Sequence, residues 1–323
     1  MAAAEQIKNL ISSYGKSDES RFFSTAMQIA ATEARQGHAI FAQELKSLIE
    51  KAKKDRSGLI IENKAVALSL PKRELNELIE VFTPQIKLND LVLDDGIKQV
   101  LLKLLEEQKR FEDLRKHDLE PMRKLLLTGP PGTGKTMTAQ AIAGELNIAV
   151  YIIRLDGLMS KYLGESISKL RLIFDTMQSH RAVYLFDEFD SIGSHRNQGH
   201  DIGEIKRVLN SFLINIEKDR SNSVIIAATN LPDSLDTALF RRFDEIIDYP
   251  LPNEIQIKEI IQKCTRLYAF NEEPNYDSLA KLASGMNYSD ITKACQDGIK
   301  HMILTRSDKL DLELFKIVLK KRK

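Results

Sequence analysis

Cysteine, charge imbalance and long apolar runs are all scarce in this sequence. Only two cysteines occur, Cys264 and Cys295, and a single pair in a chain of 323 residues fits a reducing cytosol better than a disulfide framework. No apolar stretch reaches the roughly 18 residues of a membrane span, and the N-terminal MAAAEQIKNL lacks the basic and apolar regions of a signal peptide. We therefore expect a cytoplasmic protein without a membrane partner.

The composition is typical of a globular chain. Apolar residues make up 43% and charged residues 29% of the sequence, enough for one large domain or several smaller ones. The formal net charge of +1 provides no global attraction toward nucleic acid or an anionic membrane. Nucleic acid is consequently not expected as a partner.

Hydrophobic periodicity divides the chain into three parts. Residues 1–85 have apolar side chains at helical spacing and are interpreted as a helical N-terminal domain. Residues 86–250 alternate short apolar runs with amphipathic helices, which predicts an α/β fold, a parallel five-stranded sheet with helices on both faces. Residues 251–323 are helical throughout, after a break at Pro250 and Pro252. The five strands are predicted at 125–127, 149–155, 182–186, 224–228 and 246–249.

The N-terminal part contains no motif with recognisable chemistry. It fits either a small helical cap or a docking domain for a partner or substrate, and the sequence leaves both interpretations open. His38 follows a predicted turn between two helices, where a single histidine is far more often structural than a metal ligand.

The first predicted strand of the sheet runs into GPPGTGKT, residues 129–136, and a helix follows. This pattern between a strand and a helix is typical of a loop whose backbone N–H groups bind nucleotide phosphates. We expect Lys135 to reach the β- and γ-phosphates, and Thr136 to offer its hydroxyl to Mg²⁺. The other nucleotide-binding residues expected in this loop are Pro130, Pro131, Gly132, Thr133 and Gly134.

A second strand, in VYLFDE, ends in two acids at the edge of the sheet where ligands bind in α/β folds. Asp187 is expected to hold Mg²⁺ through water, and Glu188 to polarise the water that attacks ATP. Asp190 follows shortly afterwards, and its position favours a helix cap or a salt bridge over a third metal ligand.

Two further features lie downstream of these acids. A third strand, VIIAATN, ends in Thr229 and Asn230, which either form only a turn or place Asn230 to position the lytic water. The segment ALFRRFDE contains Arg241 and Arg242. These arginines are either surface salt-bridge partners or an arginine finger that neutralises charge on the γ-phosphate bound to a neighbouring subunit.

These motifs, in this order and followed by a helical tail, resemble the AAA+ ATPase family over residues 88–323. The resemblance implies a P-loop NTPase fold with a small helical lid, and ATP and Mg²⁺ as cofactors. It places adenine beside the backbone of Leu91 and Val92. It also places the ribose and adenine near Gly285 and its neighbours, including Ser289.

The stretch SKYLGES, residues 160–166, is similar to the first pore loop of the protein-remodelling members of the family. In those members an aromatic–aliphatic pair lines a central channel and grips an extended polypeptide. By this resemblance Lys161, Tyr162 and Leu163 contact a protein substrate. The alternative is that Tyr162 and Leu163 pack into the core against the amphipathic helix that follows. A loop at 193–203, with His195 and His200, fits a second pore loop better than a metal site.

Within the family, three segments are similar to a group of compact bacterial AAA+ proteins that we associate with subtilisin-like proteases in phage-defence gene pairs. These segments are VYLFDEFDSIG, GEIKRVLNSFL and ALFRRFDE. The resemblance implies a subtilisin-like protease as partner and an antiviral role. Two features depart from the family pattern. Arg241 and Arg242 are adjacent, so which one crosses a subunit interface stays open. Residues 285–291 also contain no arginine, so no arginine of the same chain is expected to contact the γ-phosphate from this segment.

The resemblance as a whole implies an ATP-hydrolysing ring, a hexamer, that acts on a protein. Three functions stay open. The first is remodelling or threading of a protein substrate, and the second is a switch that activates a partner effector without threading it. The third is handling of DNA or a clamp, against which the near-zero net charge and the aromatic loop both count.

Overall fold

The computed structural model describes residues 78–155, 163–192, 202–235 and 237–323, together with scattered positions between 25 and 43. The chain divides into two compact units, residues 1–68 and residues 69–323. In the first unit the described positions 25–27, 29, 30, 32, 42 and 43 are helical, Ala26 and Ala30 are buried, and His38 is exposed. The helical interpretation of this part of the chain therefore holds at those positions.

A six-stranded sheet forms the centre of the second unit. Its strands are β1 (Ile79–Phe82), β2 (Lys124–Thr128), β3 (Val150–Arg154), β4 (Val183–Asp187), β5 (Val224–Thr229) and β6 (Glu245–Asp248). They lie in the order β1-β3-β4-β5-β2-β6. All pairings among the last five strands are parallel, and each of these strands overlaps one that the sequence predicts. The central strands are nearly continuous apolar runs because both faces of the sheet are buried.

The strand β1 differs from the expectation of a wholly helical segment over 1–85 and of a five-stranded sheet. It pairs antiparallel with residues 150–153 of β3 and so adds a sixth strand at the edge of the sheet. Its sequence, IEVF, spans only four residues. A run this short carries too little periodicity to be told apart from a helical turn, and its partner strand lies far away in the chain.

Helices cover both faces of the sheet, as predicted. The helices of this part are α1 (Asp95–Lys109), α2 (Phe111–Lys116), α3 (Lys135–Leu146), α4 (Leu163–Ser179), α5 (Ile202–Lys218) and α6 (Thr237–Phe240). Alternate residues of β4 face opposite sides of the sheet. Leu185 joins the core formed with α1 and α3, whereas Phe186 stacks with Phe174 of α4 and meets Phe212 of α5 edge-on.

Four helices after β6 form the lid. They are α7 (Glu254–Thr265), α8 (Tyr276–Leu282), α9 (Tyr288–Leu304) and α10 (Leu312–Arg322). The lid begins where Asn253 and Gln256 form a capping box, each side chain accepting from the other's backbone N–H at 2.9 Å. The lid has its own apolar core, which includes Ile261, Ala294 and Phe315. The helical C-terminal part is therefore confirmed. Among the described residues, no helix has the length and apolar character needed to cross a membrane.

Candidate active site

Two glycines allow residues 129–136, the phosphate loop, to fit between the end of β6 and the lid. Gly129 has a φ of +131°, and a Cβ there would lie 2.3 Å from the carbonyl oxygen of Tyr249. Gly132 has a φ of +74°, and its Cβ would lie 2.6 Å from Oδ1 of Asn287, the N-cap of α9. Any side chain at either position would meet both backbone strain and a close contact, so the loop requires glycine there.

The side chain of Lys135, the first residue of α3, is buried within this loop. Its Nζ donates to the carbonyl oxygens of Gly129 and Pro130, at 2.7 and 2.8 Å, and to Oδ1 of Asn230 at 2.9 Å. Burial lowers the pKa of Lys135 below its ordinary value, and the charge of Asp187 is the largest opposing influence. The ammonium group of Lys135 is poorly hydrated, and its three acceptors can be replaced by phosphate oxygens, so it is well suited to binding them.

The carboxylate of Asp187, at the end of β4, lies against the start of α3. Its Oδ2 accepts from Oγ1 of Thr136 at 2.8 Å, and its Oδ1 accepts from the backbone N–H of Glu188 at 2.9 Å. A hydroxyl and a carboxylate are the hard oxygen donors that Mg²⁺ prefers. The two residues expected to hold the metal are therefore adjacent, and their donor set fits Mg²⁺.

Glu188 projects from a strained turn into the cleft beside these residues. Its φ is +51°, in the left-handed region, which costs a residue with a side chain on the order of 1 kcal/mol. The following residue, Phe189, is fully buried and lies 4.8 Å from Phe212, ring centroid to ring centroid. Glu188 itself is exposed. The turn is thus anchored by its neighbour, and the carboxyl group of Glu188 is left free to meet a ligand.

Among the described residues, Asp190 neither caps a helix nor forms a salt bridge, the two roles that its position in the sequence favours. Its Oδ1 accepts from Oγ1 of Thr229 at 3.2 Å and from the backbone N–H of Asn230 at 3.1 Å. Asp190 therefore joins the turn after β4 to the tip of β5.

The lid closes one side of a cleft of about 530 Å³ above the phosphate loop. The backbone N–H of Ser289 donates to the carbonyl oxygen of Gly132 at 3.1 Å, so the first turn of α9 touches the loop directly. The residues that line the cleft are Pro131, Gly132, Thr133, Gly134, Lys135, Thr136, Met137, Asp187, Glu188, Asn230, Tyr288, Ser289, Thr292, Lys293 and Gln296. Most of the predicted phosphate-binding and catalytic residues are thus brought together.

Three of the residues expected near adenine and ribose lie outside this lining. Leu91 packs against the core beneath the sheet, and Val92 packs against the core of the lid. Gly285, with a φ of +86°, precedes α9. The sequence analysis missed Thr292, Lys293 and Gln296, which extend the cleft-facing side of α9 from Ser289. The helical spacing of these three residues can be read from the sequence, but a polar face of a helix is usually exposed to solvent, so the spacing alone does not indicate a ligand site.

The two arginines after α6 have different surroundings. Nη2 of Arg242 lies 3.1 Å from Oε2 of Glu217, at the end of α5. Arg241 is exposed, and its side chain forms no ion pair or hydrogen bond with any residue that the structure describes. Neither arginine lines the cleft of its own chain.

Some of the predicted site residues cannot be placed. Lys161, Tyr162, His195 and His200 lie outside the described residues, and Leu163 is described only as the first residue of α4. Among the residues that are described, no group of three or more histidine, cysteine, aspartate or glutamate side chains could hold a metal ion.

A mostly parallel sheet with a phosphate loop at the carboxyl end of one strand, directly before a helix, is the fold of a P-loop nucleoside triphosphatase. Residues 125–251 match the profile of the family described as "ATPase family associated with various cellular activities (AAA)". An uncharacterized AAA family ATPase, y4kL, of Sinorhizobium fredii is 33% identical over 307 residues, which cover 95% of this chain and 91% of the relative. The chain therefore belongs to the AAA ATPase family, and it is an ATP-hydrolysing enzyme.

Two further relatives have informative names. The cell division cycle protein 48 homolog of Archaeoglobus fulgidus is 32% identical over 268 residues, covering 80% of this chain and 36% of the relative. The proteasome-activating nucleotidase of Methanothermobacter thermautotrophicus is 33% identical over 230 residues, covering 69% of this chain and 56% of the relative. The chain thus spans only about a third to just over half of these two proteins.

Proposed function

We propose that this chain forms a hexameric ring that uses ATP hydrolysis to remodel or thread a protein. The observation that carries the proposal is the cleft in which Lys135, Asp187, Glu188 and Asn230 meet beneath a separate helical lid. Since α9 contacts the phosphate loop through Ser289 and Gly132, a change at the phosphates can be transmitted to the lid. Similarity to a relative named for activating a proteasome supports a protein as the object of that movement.

The geometry of the cleft supports the following proposed roles. Lys135 would exchange its contacts with the loop and Asn230 for contacts with the β- and γ-phosphates. Glu188 would orient and polarise the attacking water, and Asn230 would position that water from the tip of β5. Mg²⁺ would be held by Thr136 and by Asp187, and when bound it supplies charge that neutralises the phosphates.

We also propose that Arg241 is the arginine that reaches the γ-phosphate of a neighbouring subunit. Arg242 already pairs with Glu217 of its own chain. Arg241 is exposed and forms no ion pair or side-chain hydrogen bond within the described residues, so its guanidinium group is available to another subunit.

Tyr162 supplies the test of the protein-remodelling step. An aromatic ring on a loop can hold any extended chain by burying area against it, without reading its sequence. We expect Tyr162→Ala to leave assembly, melting temperature and basal ATP turnover within a few-fold of the unaltered protein, and to abolish work on a protein. The measurements are thermal melting, ATPase rate and ATP-dependent unfolding of a fluorescent test protein, all on one preparation.

The alternative placement of Tyr162, in the core, predicts a different result. Truncation of a large buried aromatic side chain costs roughly 3–5 kcal/mol, so the melting temperature would fall sharply. Such a fall would overturn the pore-loop assignment, and so would full unfolding activity in Tyr162→Ala. Leu102→Ala is a suitable control, because this side chain of α1 is exposed and lies outside the cleft lining.

The segments that resemble the protease-associated bacterial proteins support a narrower proposal, a subtilisin-like protease as partner in antiviral defence. In this case the ring could act as a switch on the protease rather than as a threading motor. A pull-down with Glu188→Gln in ATP, analysed by mass spectrometry against the same variant in ADP, tests the partner. Absence of any protease from the ATP-specific set would argue against it.

A further inference from the structure

Asp190 lies beside the active site but does not line the cleft. It is partly buried in the short 3-10 helix Phe189–Ile192, and Oδ1 accepts two hydrogen bonds, from Oγ1 of Thr229 and the N–H of Asn230. Both donors lie 39 or 40 residues further along the chain. Within the part of the chain that the structure describes, Asp190 belongs to no metal-binding cluster and caps no helix.

The strand lengths explain why β5 needs such a partner. The pairing of β4 with β5 ends at Phe186 and Ala227, yet β5 continues to Thr229. Beyond that point the main chain of β4 turns away through the strained residue Glu188. The carboxylate of Asp190 then supplies the acceptor that a longer β4 would have supplied, at the place where Asn230 emerges into the cleft.

We propose that Asp190 is a positioning residue for ATP hydrolysis, which fixes the tip of β5 against the turn after β4 and so sets Asn230 relative to Glu188. The proposal rests on the catalytic roles proposed above for those two residues. Asp190 touches neither nucleotide nor water in this scheme. The carboxyl group of Glu188 follows β4 and the amide of Asn230 follows β5, and catalysis requires their relative position to be accurate to well under an ångström. Asp190 fixes that position by joining the ends of the two strands.

This role predicts a specific pattern of kinetic change. Asp190→Ala removes the common acceptor, so Asn230 is no longer held and kcat is expected to fall by about 10²-fold, as for a misplaced catalytic group. The KM for ATP should change only a few-fold, because the hydrogen bonds that hold Lys135 to the carbonyl oxygens of Gly129 and Pro130 do not involve Asp190. Asp190→Asn keeps an oxygen that can accept both hydrogen bonds, and its kcat should stay within a few-fold of the unaltered protein.

The measurements are steady-state ATPase kinetics and fluorescent-nucleotide binding for both variants and for Asp233→Ala, which removes an exposed carboxylate just beyond β5. Asp190→Ala should also add little to the defect of Asn230→Ala, since it acts through that residue. Full additivity of the two changes would overturn the proposal, and so would a kcat for Asp190→Ala within twofold of the control. Equal losses in Asp190→Asn and Asp190→Ala would also overturn it, a test that stands even if Asp190→Ala does not fold.

Two variants distinguish an error in the positioning role of Asp190 from an error in the catalytic roles of Glu188 and Asn230. Normal hydrolysis by Glu188→Gln or by Asn230→Ala would show that the catalytic role of that residue is wrong. Slow hydrolysis by those variants, combined with a normal kcat in Asp190→Ala, would show that only the positioning role is wrong.

Discussion

Glu188→Gln is expected to bind ATP normally but to hydrolyse it roughly two to four powers of ten more slowly than the unaltered protein, as for loss of a catalytic base. The glutamine keeps the shape of the side chain on its left-handed turn and removes the carboxylate. Among the described residues, the hydrogen bonds of Lys135 and Thr136 do not involve the side chain of Glu188, so nucleotide affinity is expected to stay normal. The variant should therefore accumulate in the ATP-bound, assembled state.

Lys135→Ala is the matched comparison for Glu188→Gln. It removes the buried cation that contacts both the loop and Asn230, so ATP binding should weaken and turnover should vanish. Equilibrium binding of a fluorescent ATP analogue and phosphate release, measured on the same preparations, separate the two roles. A hydrolysis rate near normal in Glu188→Gln would show that another residue is the base.

Arg241→Ala should lower ATP turnover by about 10³-fold or more, the range known for arginine fingers, while ATP affinity changes far less. Arg242→Ala should have a much smaller effect. Its exposed ion pair with Glu217 contributes at most about 1 kcal/mol to stability. Comparable losses in the two variants, or a larger loss in Arg242→Ala, would contradict the assignment of Arg241.

Mixed rings test whether Arg241 acts on a neighbouring subunit. Arg241→Ala subunits keep an intact cleft, and Lys135→Ala subunits keep the arginine. Where the two meet in one orientation, a complete active site is restored, so mixing two inactive proteins should recover part of the activity. If rings verified as mixed by native mass spectrometry show no recovery, Arg241 has a structural role instead.

Features encoded by consecutive residues could be predicted from the sequence alone. The phosphate loop lies within eight residues, and the acids of β4 directly follow an apolar run. Because strand, loop and helix signals are all local, Lys135, Thr136, Asp187 and Glu188 were placed in one site, and the structure brings them together. The five parallel strands were predictable for the same reason.

Features that depend on distant pairing could not be predicted. The strand β1 has four residues and pairs with a strand some 70 positions away, so its pattern carried no signal. The role of Asp190 depends on β4 being shorter than β5 at their common edge. Arg241 and Arg242 are neighbours in the sequence, and only the position of Glu217 at the end of α5 distinguishes them.

We propose that ATP binding in this cleft is coupled to grip on a polypeptide. Retention of fluorescein-labelled casein by Glu188→Gln measures that coupling. Casein serves as an unstructured model chain, and its retention is measured by fluorescence anisotropy after size separation. We expect retention in ATP, none in ADP, and none in ATP for the double variant Glu188→Gln/Tyr162→Ala. Equal retention in ATP and ADP would show that ATP binding does not control the grip, and retention without Tyr162 would show that this residue does not provide it.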